Sequence, residues 1–193
     1  MADGGREGGR RPRVVVMAPD PGGSRHRAAE LGPMLGDESR VGAIEALLAR
    51  RALEWARVVA GDGEVVEAAT DLGAAVAPAG PTLVIWPELP VWLPETGAAA
   101  VDDLAAGCSV SIGPVFDGAL YLLALAEPTP ELLALGEHPW RGVATMARVF
   151  SVVEERQLEV GLLRAERGLR RPDDVRALRA DPLTDGELYE VLR

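Results

Sequence analysis

Six short apolar runs, separated by stretches in which apolar residues recur every third or fourth position, restrict this chain to very few architectures. Val14 to Ala18, GEVVEAA at 63–69, TLVIW at 82–86, CSVSIGPVF at 108–116, ALYLLALA at 119–126 and LEVGLLRAE at 158–166 have the length and continuity of strands. A run such as VVVMA, with no polar alternation, predicts a strand buried on both faces, the situation inside a parallel sheet covered by helices. Between the runs, Val41, Ile44, Leu47, Leu48, Leu53, Trp55, Val58 and Val59 keep helical spacing from about Ser39 to Ala60, and Gly61 closes the segment. Helix is also expected from Glu95 to Ala106, with Pro94 in its first turn where a missing N–H is harmless. GVATMARVFSVVEER, RPDDVRALRA and LTDGELYEVL read as three more helices; PTPELLALG starts as one and HPWRG interrupts it, whereas TDLGAAV is a loop or a short helical turn. The expectation is an α/β fold, a three-layer α/β/α sandwich around a mostly parallel, Rossmann-like sheet. At 193 residues a single domain over 13–193 is the simplest organisation. Residues 1–12, Gly- and Arg-rich without periodicity, are expected to form a disordered tail.

The formal net charge of −10 argues against general binding to nucleic acid or to anionic membranes, since a phosphate field repels most of such a surface. Positive charge is nevertheless concentrated early: residues 1–27 carry Arg6, Arg10, Arg11, Arg13, Arg25 and Arg27 against Asp3, Glu7 and Asp20. All 20 basic residues are Arg and Asn is absent, a pattern of coding bias rather than of guanidinium chemistry. No apolar run approaches the roughly 20 residues that span a bilayer, and MADGGREGGRRPR lacks the apolar centre of a secretory signal, so the expected location is cytoplasmic. A lone Cys108 excludes an internal disulfide, and its apolar flanks suggest a core position.

In a sheet of this kind ligands bind at the carboxyl ends of the strands, which singles out the turns after Ala18, after Trp86 and around Asp117. The first, A-P-D-P-G-G-S-R-H-R, is read as a loop: Pro19 and Pro21 stiffen the exit, Gly22 and Gly23 let backbone approach a ligand, and Arg25 and Arg27 offer forked contacts to phosphate. It lacks both the Walker lysine and the dinucleotide glycine pattern, and a plain surface turn is the competing reading. Glu88, between Pro87 and Pro90, either faces the site or ends a strand; Asp117-Gly118 either faces it or is an ordinary hairpin turn. His138 has no triad or zinc pattern around it, and Trp86, Trp92 and Trp140 line a pocket or belong to the core.

The order of these segments resembles a bacterial glycosyltransferase-A-like family, the nucleotide-diphospho-sugar transferases related to molybdenum-cofactor guanylyltransferase and 2-phospho-lactate guanylyltransferase. The similarity runs from Arg13 to about Ala180. The family's A-P-x-P-G falls on Ala18, Pro19, Asp20, Pro21 and Gly22, its basic pair on Arg25 and Arg27, and its D-L-G on Asp71, Leu72 and Gly73. Its strand-ending D-x-P, whose aspartate is expected to hold a divalent metal, falls on Glu88, Leu89 and Pro90; its P-x-x-D-G-G-Y-Y falls on Pro114 to Tyr121, with Asp117, Gly118 and the second Tyr kept. Pro139 and Trp140 match its P-W, while the late D-x-D-x-P-E-D-L reads Gly168, Leu169, Arg170, Arg171, Pro172, Asp173, Asp174 and Val175, so both aspartates before the Pro are gone.

The resemblance implies a transferase acting on a nucleoside triphosphate or nucleotide sugar. Arg25, Arg27 and Asp117 would be catalytic; Pro21, Gly22, Gly23, Arg25, Arg27, Asp71, Gly118 and Arg170 would bind the nucleotide; Glu88 would be a ligand for Mg²⁺. The lost aspartates, with Arg170 placed where the metal would be, leave two readings: a metal-independent transferase that uses arginines, or a catalytically inactive relative acting as a binding or scaffold module. The expected partner is a small-molecule nucleotide, with neither nucleic acid nor membrane.

Overall fold

A computed structural model describes residues 11–18, 21–69, 71–76, 79–134 and 143–193. All six apolar runs form strands of one sheet: β1 (Arg13–Met17), β2 (Val65–Ala69), β3 (Thr82–Ile85), β4 (Val110–Pro114), β5 (Leu120–Leu125) and β6 (Val160–Leu162). Their order is β2-β1-β3-β5-β4-β6. The pairs β1–β2, β1–β3 and β4–β6 are parallel, while β5 runs antiparallel to both β3 and β4, so the sheet is mostly parallel with one reversed strand. The reversal follows from local sequence, because Asp117-Gly118 allows β4 to turn directly into β5, and Gly118 at φ +83° takes a conformation that strongly favours glycine. All of β3 and β5 and most of β1 are buried.

Successive side chains point to opposite faces, and each face meets helices. Val15, Val84, Ile112, Leu123 and Leu125 form one core with α3 (Leu72–Ala75), α5 (Pro130–Ala134) and α6 (Val143–Arg156). Val14, Val16, Leu83, Ile85 and Tyr121 form the other with Trp55, Ala56 and Ala100 of α2 (Glu38–Ala60) and α4 (Pro94–Ala105). At Gly113 a Cβ would lie 2.5 Å from Cζ of the buried Tyr121 ring, so a bare backbone is what lets that ring lie flat on β4. A third core joins α2 to α1 (Pro21–Leu35), α7 (Pro172–Ala180) and α8 (Gly186–Leu192) through Leu31, Ile44, Leu48, Leu169, Val175 and Leu188. No helix among the described residues is long and apolar enough to cross a membrane.

Three expectations need correction. The segment from Pro21 through Arg27 is not a loop but the opening of α1. Proline fixes φ at a helical value and sacrifices no bond at a first helical position, and burial of Leu31 and Leu35 sustains the helix behind the glycines. The last strand is confined to Val160–Leu162; beyond it only Glu166 pairs again, with Val115. Cys108 is half-buried rather than core. The tail through residue 10, Pro19, Asp20, His138, Pro139 and Trp140 lie outside the described residues.

Helix α8 is clipped to α2 by charge. The Arg51 guanidinium donates to both carboxylate oxygens of Asp185, at 2.7 and 2.8 Å, and to the Pro90 carbonyl at 2.7 Å. These bonds from Arg51, helped by the Leu188 N–H, hold the Asp185 carboxyl below the usual carboxylate range. Glu187, bonded to Arg50, is shifted the same way. A carboxylate depressed in the folded state contributes stability that is complete above its unfolded value of about 4 and is lost as pH falls through the folded one. The melting temperature is therefore expected to drop as pH is lowered from about 5 towards 2, with a shallower drop for Asp185→Asn. Parallel pH profiles for the two proteins in thermal melts would refute the linkage.

Candidate functional site

Four connections meet at the edge of the sheet where β1, β3, β4 and β6 end, and each delivers a charged side chain there. After β1, α1 carries Arg27 inwards with only 11% of its side chain exposed. Its guanidinium donates to Glu45 Oε1 on α2 at 3.0 Å and to Glu88 Oε2 at 2.6 Å, so one arginine joins two helices to the turn after β3. Its Nε is buried without a hydrogen-bond partner among the described residues.

Glu88 sits in a tight turn, its N–H donating to the Trp86 carbonyl at 2.7 Å, and its own carbonyl accepts from the Leu169 N–H at 2.9 Å. That bond ties the turn to the segment leading into α7. Asp117 occupies the β4–β5 turn, where its Oδ1 accepts from the Ala119 N–H at 3.0 Å. Asp117-Gly118 is thus the hairpin turn expected of it, and its carboxylate is paired with Arg170.

Arg170 closes the ring. Its Nη1 lies 3.1 Å from Asp117 Oδ2, its Nε lies 3.7 Å from Glu88 Oε2, and 13% of its side chain is exposed. The direction of Arg170 is set by Asp174, whose Oδ2 accepts from the backbone N–H groups of Arg170 at 3.1 Å and Arg171 at 2.9 Å at the start of α7. The acidic start of that helix thereby also fixes the backbone from which Arg170 reaches the cluster. Arg171 reaches within 3.8 Å of Asp117 but is largely exposed.

Arg25 does not join this cluster. Two residues apart on a helix is about 200° of rotation, so Arg25 and Arg27 leave opposite sides of α1, and Arg25 is exposed with no partner among the described residues. Pro21, Gly22 and Gly23 form the first turn of α1, about 3 to 6 Å along the axis before Arg25. Side chains lean towards the N-terminus of their helix, which puts that turn within the reach of the Arg25 side chain. Asp71 caps the four-residue α3 through the Ala74 N–H at 3.1 Å and is exposed. Trp86 is buried, and Trp92 packs on Trp55 with ring centroids 4.9 Å apart and edge-on to Tyr121 at 6.0 Å. Tyr121 itself donates from its hydroxyl to the Arg164 carbonyl at 3.1 Å, and burial pushes its phenol up from its ordinary value. A groove of about 310 Å³, whose lining includes Trp55, Val58, Val91, Trp92, Arg51 and Asp185, shares no residue with the charged cluster.

Sequence reasoning misses Glu45, although a signal is present. Glu45 lies four residues after Val41 and three before Leu48, on the stripe that α2 buries, and a carboxylate there requires a cation. The side chains present do not fit the Mg²⁺ that the family resemblance implies. Such an ion needs a near-octahedral shell of oxygen ligands, whereas Glu88 and Asp117 are both engaged by guanidinium groups, with Arg170 contacting the two together. Among the described residues no group of three or more His, Cys, Asp and Glu side chains is arranged to hold a metal.

No family model matches the chain, and no curated protein matches it in sequence. Solved structures do resemble it. A crystal structure from Desulfovibrio desulfuricans G20, bearing the provisional name of nucleotide-diphospho-sugar transferase, superposes with a TM-score of 0.68 at 14% identity, covering 95% of this chain and 94% of that one. A Mycobacterium sp. strain JC1 homologue of a Mycobacterium tuberculosis protein gives a TM-score of 0.46 at 17% identity, over 89% of this chain and 96% of that one. The first likeness establishes the architecture: this chain has the α/β fold of that Desulfovibrio protein, with a six-stranded, mostly parallel sheet flanked by helices.

Proposed function

We propose that the chain binds a nucleotide or nucleotide sugar at the carboxyl edge of its sheet and acts as a nucleotidyl- or glycosyltransferase that requires no metal. The observation that carries this reading is the convergence of Arg27, Glu88, Asp117 and Arg170 from four different strand ends. In open α/β sheets that edge is where ligands sit. The name of the Desulfovibrio neighbour points to the same substrate class. Transfer from a nucleoside triphosphate or nucleotide sugar requires positive charge on the leaving diphosphate, which metal or arginine can supply. In this reading Arg25 and the N–H groups of the first turn of α1 contact phosphate oxygens, Arg170 and Gly118 border the diphosphate, Arg27 holds the pocket in shape, and Asp117 orients Arg170 and the acceptor.

A second reading has its own support. Every carboxylate of the cluster is ion-paired to an arginine, as expected of a module that has kept the fold but not the chemistry. Titrating the folded protein with GTP, CTP and UDP-sugars, with and without EDTA, separates the readings. Binding with EDTA-resistant turnover supports the enzyme; binding without turnover under any added metal supports the module. Absence of binding to every nucleotide removes both.

A further inference from the structure

We propose that Arg170 is the resident cation of this cluster: its guanidinium, set between Glu88 and Asp117, keeps divalent metal out, and its removal converts the two carboxylates into a divalent-cation site. The inference concerns the protein without nucleotide and stands whether or not the transferase reading holds.

Glu88 and Asp117 come from separate turns, after β3 and after β4, and nothing in the backbone bonding of either turn needs the other's carboxylate. What the two share is Arg170, at 3.7 Å from one and 3.1 Å from the other. Both carboxylates are largely withdrawn from solvent, 14% and 11% exposed, so their charges are poorly screened by water and must be met locally. Two such groups brought towards one point are stabilised by a single cation lying between them, and a divalent ion with its water shell is the ordinary alternative to an arginine.

The surroundings favour oxygen coordination once the guanidinium is gone. Glu88 has one carboxylate oxygen, Oε1, for which no ion pair is found among the described residues, since Arg27 and Arg170 both approach Oε2. Asp117 accepts from the Ala119 N–H at Oδ1, and Arg170 Nη1 straddles both of its oxygens, 3.4 Å from Oδ1 and 3.1 Å from Oδ2, so removing the guanidinium frees Oδ2 of its nearest cation. Arg27 remains on Glu88 in either case, which limits the affinity and makes a water-rich ion, held by one or two carboxylates, the fitting class. The same logic makes Arg170 dispensable for charge but not for selectivity, because a guanidinium cannot be titrated away or exchanged as a metal can.

Mn²⁺ serves as the probe, since it accepts carboxylate and water ligands and its free form is counted directly by electron paramagnetic resonance. The full-length wild-type chain is expected to leave Mn²⁺ free in solution. Arg170→Ala is expected to bind one equivalent at least about tenfold more tightly than wild type, and to melt higher in its presence. Arg170→Gln, which keeps the length and donors of the side chain without its charge, should behave likewise and stands in if the alanine protein does not fold by circular dichroism. Arg170→Lys, which keeps the cation, should still exclude Mn²⁺, and adding Asp117→Asn to Arg170→Gln should abolish the new site. Tight Mn²⁺ binding by wild type that Asp117→Asn removes would overturn the proposal, as would failure of both folded uncharged variants to gain binding.

Discussion

Replacing Arg27 by alanine is expected to lower the free energy of unfolding by about 3 to 5 kcal/mol, the usual loss when one partner of a buried ion pair is removed. Arg27 is the shared cation of Glu45 and Glu88, whose side chains are only 17% and 14% exposed. Without it Glu45 is left on the buried stripe of α2 with an uncompensated charge, while Glu88 keeps the more distant Arg170. Against the roughly 5 to 15 kcal/mol that holds a folded domain together, this is a large fraction. The mechanism has a signature beyond the size of the loss. Neutralising the stranded carboxylate together with the arginine, in Arg27→Met with Glu45→Leu, should recover much of the stability, because well-packed apolar groups replace buried ion pairs at little or no cost. Urea unfolding of the two variants reads this out. A double variant no more stable than Arg27→Ala would mean that Arg27 acts through packing rather than charge.

Arg25→Ala is expected to do the opposite: to leave stability within about 0.5 kcal/mol of wild type while weakening nucleotide binding about tenfold to a hundredfold. Arg25 is exposed and has no partner among the described residues, so its removal strands nothing. A charge-assisted bond to phosphate contributes roughly 1.5 to 3 kcal/mol, which sets the size of the affinity loss. Arg13→Ala is the matched control. Arg13 donates to the Ala75 carbonyl at 2.8 Å and pairs with Glu64 at 2.5 Å, within the β-sheet framework, and its loss should leave nucleotide affinity unchanged. The contrast between Arg25 and Arg27 separates two roles that positions two apart in the sequence make look alike. Calorimetric titration of all three variants measures it; equal affinity losses in Arg13→Ala and Arg25→Ala would point to general charge rather than a contact.

Much of the fold is legible in the sequence because strands buried on both faces announce themselves by unbroken apolar runs, whichever way they run. TLVIW and ALYLLALA have no other comfortable solution, and in the structure they are neighbours, with Ile85 opposite Leu122. The start of α1 is hidden for an equally physical reason. Pro21, Gly22 and Gly23 are poor helix formers, and what makes the segment helical is distant: Leu31 and Leu35 pack against residues of α2, α7 and α8, some of them more than 130 positions later. The candidate cluster is legible in outline, since strand-end turns single out Glu88 and Asp117 by position alone, and both lie beside Arg170. Its internal pairing is not. That Arg27 turns in and Arg25 out depends on their being helical, and the role of Glu45 depends on knowing which stripe of α2 meets α1. Asp174 illustrates a further limit: a carboxylate in the first turn of a helix reads as a cap, and only three-dimensional placement reveals that the cap aims Arg170.

The proposal that a nucleotide binds at the carboxyl edge of the sheet is tested most directly by following the arginine side-chain N–H signals in heteronuclear NMR while the folded protein is titrated with GDP and UDP. Shifts are expected first at Arg25 and Arg170, with smaller ones at Arg27 and none at Arg51 in its bond to Asp185. A response confined to Arg51 and the indoles of Trp55 and Trp92, which would place the nucleotide in the apolar groove instead, or no response from any arginine, contradicts it.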